Sequence, residues 1–279
     1  MCCVPTHSGT VAFAEFMSSQ GSKLPRCGVG PFEPKFRLLL TALFTLNGMI
    51  KPGSVVDCGA ERGGESCFFA DLDSGRRIHA VEPLPQNARS VDMVSKSRPN
   101  VALLRGGLGS AERFVERAQH TQSGSMIINL QKAQSANYSK ASRGFYVYTL
   151  DKLFGQGGRW AGEHLAFGHF DVEGAELDLL KGAEMTIQRD RPVFSIEVEL
   201  GKHTSRFRYA TAMAVLAKLG YRAFVVPENC ARPGGINCRN TMCFPSERPP
   251  PAWIVEAHNL TETHLGDPPL HSHYGLPGY

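Results

Sequence analysis

The chain has 279 residues, of which 42% are hydrophobic and 20% charged, and a formal net charge of +4. This is the composition of a globular protein able to bury a core, not of a disordered chain. The mild charge, without a clustered Lys/Arg run, argues against nucleic acid as a partner. The longest apolar stretch, 36–50, is too short and too interrupted to span a bilayer.

Residues 1–32 mix Gly, Ser, Pro and Cys and read as a loose lead-in without a signal-peptide pattern. Residues 36–49 are apolar all round and predict a buried helix, stopped by "KPG". Strands and helices then alternate. "SVVDC" (54–58), "RIHAVEP" (77–83) and "VALLRG" (101–106) read as buried strands. "GESCFFADLDSG" (64–75) and "LPQNARSVDMVSKSR" (84–98) read as the helices between them, the second with Pro in its first turn. In the middle, "SMIINLQ" (125–131) and "FYVYTLD" (145–151) are strand-like. A strand over about 166–171 leads to "AELDLLKGAEMTIQRD" (175–190), one amphipathic helix by its spacing of Leu177, Leu180, Ala183 and Ile187. "PVFSIEVEL" (192–200) is a fifth parallel-type strand, and "RYATAMAVLAKLG" (208–220) a helix ending on Gly220. "YRAFVVPE" (221–228) and "NTMCFPS" (240–246) read as a closing pair of strands. Residues 247–279, rich in Pro and His, read as a disordered tail. The eight cysteines form no C-x-x-C pair; Cys58 and Cys67 read as small core residues. This usage favours a reducing compartment, and the expected location is cytoplasmic.

Such alternation implies a mostly parallel sheet covered on both faces, with ligands at the carboxyl ends of its strands. Two of those ends carry acids. Asp57 closes the first strand and is followed by Gly59, Gly63 and Gly64. A carboxylate at the edge of a core is costly to desolvate unless it has a use. Glu82 closes the second strand, where an acid can bind both hydroxyls of a ribose. The loop does not read G-x-G-x-x-G, and Asp57 would repel a pyrophosphate, which disfavours a nicotinamide dinucleotide. A ligand with cationic centres, a ribose and no phosphate suits it better, and S-adenosylmethionine has a sulfonium, an ammonium and a ribose. A second acidic cluster, "FDVEGAELDLLKGAE" (170–184), places Asp171 and Glu173 at the same end of the sheet. Glu176 falls in a first helical turn, where the dipole favours negative charge. Asp171, Glu173 and His203, just past the fifth strand, are the candidates for moving a proton at the site. No His/Cys cluster with ligand spacing supports a metal.

The segments "VVDCGAERGGESCFFA", "IHAVEPLPQN", "VYTLDKLF", "FDVEGAELDLLKGAE" and "RPVFSIEVE" occur in an order that resembles the FkbM-type S-adenosylmethionine-dependent methyltransferases. The resemblance covers about residues 50–200. It implies a Rossmann-like class I methyltransferase fold, α/β, with a mostly parallel seven-stranded sheet ending in an antiparallel hairpin and helices on both faces. Between the lead-in and the tail, a single catalytic domain is expected over about 33–246. By position the resemblance implies Asp57, Gly59 and Gly63 in the cofactor loop, Glu82 on the ribose, and Asp171 and Glu173 bordering the methyl-transfer site. The expected activity is O-methylation of a hydroxyl on a small molecule or sugar. The other reading of the same residues is a noncatalytic methyltransferase-fold scaffold or cofactor sensor.

Overall fold

The structure is a computed structural model; it describes residues 34–46, 48–116, 144–172, 174–199, 203–227 and 238–263, without the side chains of 116, 198, 199, 203–209, 238 and 239. The strand expected over 125–131 lies outside them. Chain order is α1 (Pro34–Thr45), β1 (Ser54–Cys58), α2 (Gly64–Leu72), β2 (Ile78–Glu82), α3 (Pro85–Ser97), β3 (Val101–Arg105), β4 (Gly107–Leu108) and β5 (Arg113–Glu116). There follow β6 (Gly144–Tyr148), α4 (Leu150–Phe154), β7 (Leu165–Phe170), α5 (Glu176–Lys181), α6 (Glu184–Asp190) and β8 (Val193–Glu199). The last elements are α7 (His203–Lys218), β9 (Tyr221–Val225), β10 (Cys238–Pro245), α8 (Ala252–Ala257) and β11 (Thr261–Thr263).

The main sheet has the order β11-β9-β10-β8-β7-β1-β2-β3. From β8 to β3 the strands are parallel, and β10 inserts antiparallel between β8 and β9. Seven of these strands match the arrangement expected from sequence, and β11 adds a short eighth strand at the edge. The order reverses between β1 and β7, so the crevice above that pair is the place where this architecture binds ligands.

Both faces are covered because the strands alternate between two cores. Val55, Ile78, Phe167, Val193 and Met242 pack with Phe36, Leu39 and Leu43 of α1 and Phe69 of α2. Val56, Val81, Phe170, Phe194 and Ile196 pack with α4, α5, α6 and α7 through Leu150, Leu180, Ile187 and Leu216. Phe69 lies 5.4 Å from Phe167, ring centre to ring centre, which seats the helix after β1 over β7.

Two expectations are corrected. The single helix expected over 175–190 is two, broken at Gly182 and Ala183. A Cβ at Gly182 would stand 1.9 Å from the Gly109 carbonyl oxygen, and the Gly182 carbonyl accepts the Asp151 amide at 3.0 Å. Close backbone approach therefore interrupts a helix that periodicity alone would continue. The expected tail folds as far as Thr263: α8 buries Ile254, and β11 pairs with β9 while Arg222 and Glu262 form a two-bonded ion pair at 2.6 and 2.7 Å. Cys58 is a free, buried thiol and Cys67 is buried in the first core, both as expected. A second sheet, β4-β6-β5, stands between β3 and α4. Among the described residues no helix is long and apolar enough to cross a membrane.

Gly182→Ala tests the break. Its new methyl would meet backbone rather than a movable side chain, so it should destabilise the fold by about 3 kcal/mol, read as a lowered melting temperature in calorimetry.

Candidate cofactor and methyl-transfer site

The loop after β1 is clamped between the two neighbouring strands. Gly59 and Ala60 donate their amides to the Val81 carbonyl at 3.0 and 3.1 Å, and the Asp171 amide donates to the Cys58 carbonyl at 3.0 Å. Gly59 has φ +87°, and a Cβ there would lie 1.7 Å from the Asp171 carbonyl oxygen. Only glycine lets the cofactor loop and the second acidic turn come this close. Gly63, φ +83°, then caps α2.

Asp57 has no exposed surface. Its Oδ2 accepts the Ser66 hydroxyl from the first turn of α2, and its Oδ1 is buried without a partner. Burial, and next the charge of Glu65, push its carboxyl up to about 8, against the opposing pull of the Ser66 hydrogen bonds. Glu82 is 4% exposed. Its Oε1 accepts the Leu84 amide at 2.7 Å and its Oε2 the Glu61 amide at 2.9 Å. Burial raises it to about 7, again partly offset by those amides. Glu61 adopts φ +45°, the left-handed region that non-glycine residues rarely enter, and this turns its amide toward Glu82. The buried Cys58 thiol is held far above its ordinary range, first by desolvation and then by Asp57, with Glu82 and Asp171 adding to it. Three carboxyl groups thus share one small region at the switch point.

Of the residues singled out in the sequence, Asp57, Gly59, Gly63, Glu82 and Asp171 come together. Glu173 lies outside the described residues. His203 opens helix α7 rather than sitting in a loop, and its side chain is not described. Glu176 has a structural part different from the dipole one expected: its Oε1 accepts the amides of Val172 at 3.3 Å and Gly174 at 3.0 Å and shapes the turn after Asp171. Sequence reasoning missed Ser66, three residues into α2, whose hydroxyl fixes Asp57. It also missed Tyr148. Gly106, at the exit of β3, donates to the Glu82 carbonyl at 3.3 Å, and a Cβ there would come within 2.8 Å of the Tyr148 ring. No pattern in "FYVYTLD" marks that contact, which depends on the β4-β6 pairing. Among the described residues no three His, Cys, Asp or Glu side chains are grouped to hold a metal.

Strand order, the glycine turn and the paired acids at the ends of β1 and β2 are those of the class I methyltransferase fold. The particular family follows from the chain itself: the methyltransferase FkbM domain matches residues 57–223, more than half of the sequence, and the protein belongs to that family. No curated protein sequence matches it. Among solved structures, it is similar to the methyltransferase FkbM of Methylobacillus flagellatus, with 16% identity, TM-score 0.47, and coverage of 72% of this chain and 47% of that one. It therefore spans about half the length of that relative. It is also similar to precorrin-6y C5,15-methyltransferase of Geobacter metallireducens, with 14% identity, TM-score 0.43 and coverage of 75% and 86%. A third likeness is to Aeropyrum pernix fibrillarin with natively bound S-adenosyl-L-methionine, with 14% identity, TM-score 0.44 and coverage of 75% and 73%.

The buried acids bear on stability. Asp57 keeps its proton in the folded chain up to about pH 8, whereas the unfolded chain loses it near 3.8. Folding stability from this group is complete below pH 3.8 and is lost as pH rises through 8. Asp57→Asn cannot ionise. Its melting temperature relative to wild type, measured without ligand, should rise from pH 5 to pH 8 and level off above.

Proposed function

We propose that this protein is an S-adenosylmethionine-dependent O-methyltransferase acting on a hydroxyl of a small molecule or sugar. The observation that supports it most is the buried Asp57, with an unpartnered oxygen, beside a glycine turn and a second buried acid. An orphaned carboxylate oxygen in a cluster of like charge suits a cationic ligand. Asp57, Gly59 and Gly63 would hold the aminoacyl and sulfonium end, and Glu82 the ribose hydroxyls. The Gly106–Gly107 backbone beside Tyr148 would receive the adenine. When bound, the cofactor supplies a methyl group already activated by its sulfonium.

The protein's part is then alignment and proton handling. Asp171, whose backbone amide donates to the Cys58 carbonyl just past β7, would take the acceptor's hydroxyl proton, with Glu173 and His203 as the other candidate bases. General-base help of this kind is worth roughly 10²–10⁴-fold. The acceptor is expected to be a small molecule or carbohydrate rather than nucleic acid.

Calorimetric titration of S-adenosylmethionine tests the reading. Wild type should bind, and Glu82→Ala, losing a charged hydrogen-bonding partner for two hydroxyls, should bind about 100-fold more weakly. A folded wild-type protein that binds none would overturn it in favour of the scaffold reading. Asp171→Asn should keep cofactor affinity and lose about 10²-fold or more in kcat, measured by labelled methyl transfer.

A further inference from the structure

One ion pair at the carboxyl end of the sheet joins two helices that the core already holds together. Arg37 of α1 donates from a terminal guanidinium nitrogen to Glu65 Oε1 at 2.8 Å. Glu65 stands in the first turn of α2, directly after the glycine turn. The two side chains are 20% and 29% exposed, and the Arg37 guanidinium lies 5.4 Å from the centre of the Phe68 ring. Among the described residues neither side chain has another hydrogen-bonded partner. An ion pair of this kind, singly bonded and partly exposed, adds little to stability. Phe36, Leu39 and Leu43 of α1 share one core with Phe69 of α2 without it. Most of the five N–H donors of Arg37 are therefore uncommitted.

The surroundings of the pair are acidic. Glu65 lies close enough to Asp57 that, after burial, its charge is the strongest influence raising that carboxyl. The charges of Glu65 and Arg37 also both reach the buried His169 imidazole, in opposite senses. His169 is the neighbour of Asp57 across β1 and β7, so the pair stands over the same strand ends. Asp57, Glu65 and Glu82 together attract a cation and repel any carboxylate attached to it. The methyl donor carries both, because its ammonium and α-carboxylate share one carbon. Arg37 brings the opposite charge that the three acids lack. Arg62, the cation within the loop itself, is exposed.

We infer that Arg37 binds the α-carboxylate of the methyl donor, and that Glu65 positions its guanidinium to do so. The inference rests on the proposed function and extends the cofactor site to α1, a helix that precedes the family match beginning at residue 57. A guanidinium meets a carboxylate with two parallel N–H donors, which an ammonium on a flexible stem cannot do. With one nitrogen tied to Glu65 and Phe68 beneath it, the Arg37 side chain has little freedom left to lose when the ligand arrives. The acids are then left to the ammonium and the sulfonium.

The test is calorimetric titration of the full chain with two probes, S-adenosylmethionine and decarboxylated S-adenosylmethionine, which keeps the sulfonium, amine and ribose. The ratio of the two dissociation constants within one protein cancels any general effect of a substitution on the fold or on Asp57. Wild type, which needs no substitution to fold, should prefer the carboxylate-bearing probe by about 10-fold or more. Arg37→Met should abolish or reverse that preference, because only the acids remain. Arg37→Lys should restore part of it, Glu65→Leu should lose part of it, and Arg62→Met should leave it as in wild type. Equal affinity of wild type for both probes, an equal loss for both in Arg37→Met, or loss of the preference in Arg62→Met alone would each overturn the inference while leaving the cofactor reading intact. An undiminished preference in Glu65→Leu would overturn the positioning role of Glu65. Failure of folded wild type to bind either probe would overturn the cofactor reading and the inference with it.

Discussion

The structure depends on a carboxyl group buried where water cannot reach it. Asp57 sits at the end of a strand whose other residues are core, and half of its carboxyl is left unpaired. Burying a charge in this way is unfavourable, and here the carboxyl answers by holding its proton to about pH 8. A cation delivered to the same spot would reverse that. A positively charged ligand, unlike a neutral or anionic one, would draw the carboxyl into its ionised form.

The rest of the local architecture keeps that acid in place. Gly59 admits the Asp171 backbone to within a distance that any side chain would forbid. Ser66 reaches back from α2, and Phe69, one turn further on, packs that helix against Phe167. The Glu82 carboxylate meanwhile ties the exits of β1 and β2 together through the amides of Glu61 and Leu84. These are short-range constraints, but they converge only because strand order places β1 between β2 and β7.

Much of this was legible in the sequence. Apolar runs ending in acids mark strand ends because a charge inside a run could not be tolerated, and so Asp57, Glu82 and Asp171 were found. Other features depend on contacts between distant segments. The break at Gly182 comes from the Gly109 carbonyl, and nothing in "LLKGAEM" announces it. The residues after Ser246 have weak local preferences and read as a tail; the β9 edge and the Arg222–Glu262 pair give part of them a structure. Tyr148 was read as one more strand aromatic.

The most direct measurement is proton release on cofactor binding, obtained by titrating S-adenosylmethionine at pH 7 in buffers of different ionisation enthalpy. A cation placed against Asp57 should lower its pKa from about 8 to below the working pH, so binding should expel about one proton from wild type and fewer from Asp57→Asn. Binding with no proton release, or with equal release from both proteins, would contradict the claim that the buried acid is kept for a cationic ligand.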